Sequence, residues 1–174
     1  MTVESNTLGR LILAKLEEQI ERTEHLVTLI PPDKLEWKPR PDSFRVCDLL
    51  GHLLECLAGF CATLYALSPD RLGFFARLRE LRVNHCCSIE EAKSRISEYR
   101  DHIGQGFAAL TDQDLSRRIP TVFVPDGEAA LTLLLGNLEH LINHKYQLFS
   151  YLKLLDVSVE TRDLFRLRGN TRDT

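Results

Sequence analysis

Apolar residues recur at three- and four-residue spacing through four long stretches of the chain, with polar residues between them. The first predicts a helix over 6–30. Leu8, Ile12, Leu16, Ile20, Thr23, Val27 and Ile30 fall on one side, and Glu17, Glu18, Glu21, Arg22 and Glu24 mostly on the other. Pro31 and Pro32 stop it. The following loop, DKLEWKPRPDS, is forced into extended backbone before Pro39 and Pro41. It carries Trp37, read as a lid over one end of the core rather than a platform for a substrate. A second helix over about 45–66 presents Leu49, Leu53, Cys56, Phe60 and Leu64, with Asp48 in its positive first turn.

Residues 68–87 are mixed. A short helix capped by Ser68 and opened by Pro69 is expected, followed by a loop at VNHCC. Ser88 and Glu91 then form a capping box for a third helix, whose seam is Ile89, Ala92, Ile96, Tyr99, Ile103, Gly106 and Leu110. Turns and a short extended piece, IPTVFVP, fill 111–126. The fourth helix starts near Asp126 or Gly127 and reaches Leu155. SVETRDLF supplies one more short helix, and RLRGNTRDT reads as a frayed basic tail.

Four amphipathic segments without strand alternation predict an all-α fold, a four-helix bundle with a short extra C-terminal helix. Connections of roughly 15–20 residues exceed what a simple up-down hairpin needs. The chain reads as one domain over 1–174, peripheral from about residue 157.

Composition narrows the function classes. At 44% hydrophobic and 27% charged, 174 residues suffice for a real core. A net charge of −3 gives no reason to recruit nucleic acid or an anionic membrane surface. The longest nearly apolar run, 129–135, is too short to span a bilayer. Five cysteines, an odd set without paired spacing and without a preceding signal peptide, predict reduced thiols in a cytoplasmic protein.

Candidate chemistry lies in GNLEHLINHKYQLFSY, 136–151. On a helix, His140 and His144 stand one turn apart and project from one face. Neutral imidazoles so placed can grip one divalent ion, zinc, nickel or iron among them. HLINH lacks the glutamate of a HExxH metalloprotease, so a further ligand must come from elsewhere. His52 qualifies, because it sits on the inner stripe of the second helix among Leu49, Leu53 and Cys56. Each buried imidazole nitrogen left unpaired costs about 1–3 kcal/mol, and one metal resolves all three rings together.

DLLGHL on a helix, followed some 90 residues later by HLINHKYQLFSYLKLLDV, resembles the DinB/YfiT-like metalloenzymes. The approach EWKPRPDSFRVCDLL is similar to that family's Trp-x-Pro…Trp-Ser-x-x-[Glu/Asp]-Leu-Leu pattern. The resemblance implies a four-helix bundle in which His52, His140 and His144 hold a divalent metal. It also implies a homodimer and a small-molecule substrate, with a low-molecular-weight thiol as co-substrate. Two departures stand out. Phe44-Arg45 replaces an aromatic followed by a capping serine, and Lys145-Tyr146-Gln147 replaces Arg-Gly-Gln.

Three imidazoles leave a coordination position open, the catalytic rather than the structural arrangement. The expected function is therefore a metal-dependent transferase, thiol-dependent in character, or a hydrolase. The alternative is a non-catalytic bundle or dimeric interaction protein, with a structural metal or none. Glu55 and Gln147, each three residues after a ligand, are candidates for supporting or acid–base roles. Cys56, one turn after His52, is an alternative fourth ligand that would close the site. Cys86 and Cys87 beside His85 are expected to be reduced. His25, His85 and His102 carry no assigned role, and Arg162, Arg166, Arg168 and Arg172 belong to a solvated end.

Overall fold

In the computed structural model, residues 6–70, 72–121 and 124–166 are described. Four long helices form the bundle: α1 (Thr7–Thr28), α2 (Val46–Leu67), α3 (Ile89–Ala108) and α4 (Ala130–Leu154). A two-residue ladder pairs β1 (Arg118–Ile119) with β2 (Glu128–Ala129), and a one-turn α5 (Thr161–Leu164) closes the described chain.

α2 is the centre, packed against both α3 and α4, and it is apolar nearly all round because it has neighbours on several sides. By length and hydropathy it matches a membrane-spanning helix, a feature absent from the shorter run at 129–135, but its most apolar window is 61% buried inside the bundle. α1 contributes Ile12, Leu16, Ile20, Thr23 and Val27 to the core as its spacing predicts. Leu8 departs from that stripe and is exposed. The first amides of α1 donate to a distant carboxylate, since Asp112 accepts from Thr7 at 2.9 Å, Leu8 at 2.9 Å and Gly9 at 3.1 Å. Trp37 packs edge-on against Tyr151, with ring centroids 5.6 Å apart, and lies half-buried against the core.

Several local expectations are corrected. Ser68 ends α2 rather than opening a new helix, because its amide donates back to Leu64 and Tyr65. The next element is a 3-10 segment, Gly73–Glu80, with no side-chain cap. Ser88 caps α3 through the Glu91 amide at 3.1 Å. The Glu91 carboxylate instead reaches His85, at 2.8 Å, so half of the capping box is diverted. α4 starts at Ala130, later than its apolar pattern suggests, because Gly127 has φ +84° and the next two residues pair with β1. Of the extended piece, Val122 and Phe123 lie outside the described residues.

The largest correction concerns the cysteines. A disulfide joins Cys47 to Cys86, while Cys56, Cys61 and Cys87 are free and buried. Chain separation hid the pair, since its members stand 39 positions apart. Packing unites them. Segment 84–87 lies across the start of α2, with the Asn84 amide on the Gly51 carbonyl and the Cys87 amide on the Cys47 carbonyl, both 3.1 Å. A Cβ on Gly51 would stand 2.0 Å from the His85 carbonyl oxygen, so that approach requires glycine.

At the far side, Lys145 is almost wholly buried. Its Nζ donates to Gln19 Oε1 (2.6 Å) and to the Leu164 carbonyl (2.8 Å), and lies 5.3 Å from the Phe165 ring centre. It fastens α5, whose Leu164 is buried. Arg162 and Arg166 pair with Glu160 and Glu21; Arg168 and Arg172 lie outside the described residues.

Candidate metal centre

Helical geometry sets the site. α4 carries His140 and His144 one turn apart on the face turned to α2, which brings His52 opposite them. His52 Nε2 lies 3.2 Å from His140 Nε2 and 3.0 Å from His144 Nε2. The three rings stand roughly perpendicular in pairs, with centroids 4.3–5.1 Å apart. Their ligand atoms form one group within 4.8 Å, and all three rings are half-buried.

Hydrogen bonds fix what those nitrogens are. His52 Nδ1 faces Asn84 Oδ1 at 2.7 Å and Glu55 Oε2 at 3.0 Å, both acceptors, so Nδ1 bears the proton. His144 Nδ1 faces Gln147 Oε1 at 2.8 Å, and that amide is oriented by donating to the Tyr151 hydroxyl at 3.0 Å. In neutral rings both Nε2 atoms then carry bare lone pairs, directed at each other across 3.0 Å. Two lone pairs at that distance repel unless a cation lies between them. Burial is the main cause holding His140 and His144 below the ordinary imidazole value of 6.5, with charge on His52 adding to it. Three converging imidazoles are a donor set that a divalent metal fits.

Phe44 covers the cluster from outside. It stacks on His52 with centroids 5.2 Å apart and meets His144 edge-on at 6.2 Å, while remaining 40% exposed. Asp48 pairs with Arg45 through two bonds of 2.7 and 2.9 Å. A cleft of about 410 Å³ lined by Phe44, Asp48, His52 and Asn84 opens beside the cluster.

The structure thus gathers His52, His140 and His144 and places Glu55 and Gln147 against the outward nitrogens of two of them. Cys56 is not in the group. Its sulfur lies outside the set of converging ligand atoms, and its thiol is pushed up to about 12, by burial first and by Glu55 second. His25 bonds Asp163 at 2.7 Å, His85 bonds Glu91, and His102 bonds the Glu98 carbonyl at 2.7 Å. Sequence patterns did not single out Asn84, and marked Phe44 only as part of a departure at the start of the second helix, with no role at the site. Asn84 lies in a loop at φ +54°, a left-handed conformation that asparagine tolerates, and no periodicity marks it.

The DinB superfamily model matches residues 15–148. The crystal structure of a DinB-like protein, YjoA, from Bacillus subtilis superposes with a TM-score of 0.67. The match covers 86% of this chain and 94% of that one at 20% sequence identity, a likeness of fold. No curated protein matches the sequence.

Proposed function

Because this chain belongs to the DinB superfamily, we propose that His52, His140 and His144 hold one divalent metal ion and that the bundle is a metal-dependent transferase or hydrolase for a small molecule. The observation that carries this reading is the convergence of three imidazoles from two helices, with His52 Nε2 3.0 Å from His144 Nε2 and 3.2 Å from His140 Nε2. Zinc, nickel and iron all suit three imidazoles. When bound, such an ion supplies a Lewis acid with an open position that favours the deprotonated form of an oxygen or sulfur donor.

The protein's own residues supply the rest. Asn84 holds the His52 ring by its Nδ1 proton with the Glu55 carboxylate alongside, and Gln147 holds His144 by its Nδ1 proton. Phe44 limits water on the outer side of both rings. Glu55, with a side chain 41% exposed beside His52, is the carboxylate that can take a proton from a reacting group and return it. A low-molecular-weight thiol is the co-substrate we favour on the family resemblance, in a cytoplasmic setting. A homodimer belongs to the same reading, supported by Leu135 and Tyr146, exposed on one side of α4.

Metal content of protein purified without an affinity tag tests the proposal. About one ion per chain is expected, lost in each of His52→Ala, His140→Ala and His144→Ala. Full retention in all three variants rejects it.

A further inference from the structure

A second cluster of ligand atoms lies at the other side of the first turn of α2. Glu36 Oε1 stands 3.7 Å from Cys47 Sγ and 3.7 Å from Cys86 Sγ, and the three form a group within 4.8 Å. Arg45 Nη1 holds the other oxygen of the same carboxylate at 2.6 Å. None of these atoms belongs to the three-imidazole group.

The backbone braces all three independently of the disulfide. The Val46 and Cys47 amides donate to the carbonyls of Trp37 and Leu35, both at 2.9 Å, which clamps Glu36 between them. The Cys87 amide donates to the Cys47 carbonyl, and the Asn84 amide to Gly51. Breaking the S–S bond therefore leaves both sulfurs and the carboxylate in place, with the Cys47 and Cys86 Cα atoms 4.5 Å apart. In a tetrahedral zinc site, Zn–S near 2.3 Å and Zn–O near 2.0 Å put donors roughly 3.5–3.8 Å apart. The Glu36 oxygen already sits at that distance from both sulfurs. The sulfurs need only relax from a bond to ordinary contact.

We propose that Glu36, Cys47 and Cys86 form a redox-gated second metal site, closed as the disulfide and, once reduced, able to bind a thiophilic divalent cation such as zinc through two thiolates and one carboxylate. Cys86 is exposed and Cys47 buried, so a small thiol attacks at Cys86. Its thiolate forms a mixed disulfide with Cys86 and displaces Cys47 as thiolate. A second small thiolate attacks the small-molecule sulfur of that mixed disulfide, releasing Cys86 and a small-molecule disulfide. Two thiols are oxidised and one protein disulfide is reduced. The two cysteine thiolates take up the two protons that the small thiols lost on ionising, and cation binding then displaces both protons to solvent. Thiolate donors select zinc or cadmium over magnesium.

Cobalt(II) titration of the full-length protein tests this, after reduction with a phosphine and desalting under argon. Reduced protein is expected to show sulfur-to-cobalt charge-transfer absorption from about one ion per chain beyond the one taken by the three imidazoles, and the oxidised protein none. Cys86→Ser, a change at an exposed position, should abolish the band, and Glu36→Gln should weaken binding by about tenfold or more. Cys56→Ser should leave it unchanged. A reduced protein without the band overturns the proposal, as does a band that survives Cys86→Ser. A spectrum of nitrogen ligation alone overturns it too, while leaving the three-histidine reading intact.

Discussion

His144 and Lys145 are neighbours in α4, both carry polar groups into the bundle, and they meet opposite fates. Lys145 Nζ finds two oxygen acceptors and an aromatic face, so its buried charge is answered by the protein itself. His144 Nε2 finds only other imidazole nitrogens, with His52 Nε2 at 3.0 Å. A buried group that the fold satisfies is explained by the fold. One left facing its own kind points to a ligand that the chain does not supply.

Replacing either residue should separate the two roles, and the largest effect is expected at the ligand. His144→Leu should lower zinc affinity about a hundredfold or more, read by competition with a chelating dye. The same variant without metal should change in stability by no more than about 1 kcal/mol, because the bond to Gln147 that it removes is offset by burial of an apolar side chain. A loss of more than that in denaturant unfolding would make His144 structural and erase the contrast.

Lys145→Met is the converse. It strands Gln19 Oε1 and the Leu164 carbonyl, so unfolding should show a loss of about 2–4 kcal/mol. Zinc affinity should stay within about twofold of the parent, since no ligand-supporting contact involves Nζ.

Intermediate effects belong to the residues that fix the tautomers. Asn84→Ala and Gln147→Leu should each weaken metal binding about 10- to 100-fold, with helicity by circular dichroism unchanged. The smallest effect is on pH dependence. Burial lowers the His140 and His144 pKa values in the fold, so as pH falls through 6.5 the unfolded chain takes up protons first. Metal-free protein should therefore lose stability on acidification below that point, and His140→Leu with His144→Leu should flatten the slope.

The sequence made some of this legible and not the rest, for identifiable reasons. Spacing of four put His140 and His144 on one helix face, and the apolar stripe of α2 put His52 inside, because both signals are local. Asn84 was hidden. Its contact with His52 depends on a left-handed residue and on a loop resting against Gly51, neither of which has a period. The Cys47–Cys86 disulfide was hidden by 39 residues of separation, and counting cysteines suggested the opposite state. Lys145 looked like a departure in a motif, whereas its partners come from α1 and α5. The start of α4 was misplaced because Gly127 and a two-residue ladder interrupt an otherwise helical pattern.

The most direct measurement is a calorimetric zinc titration of untagged, metal-free, oxidised protein beside His52→Leu, a variant on the helix opposite the pair. The account predicts one tight site per chain in the parent and none in the variant, which retains only the α4 pair. Tight one-to-one binding that persists in His52→Leu, or no binding in the parent, would contradict it.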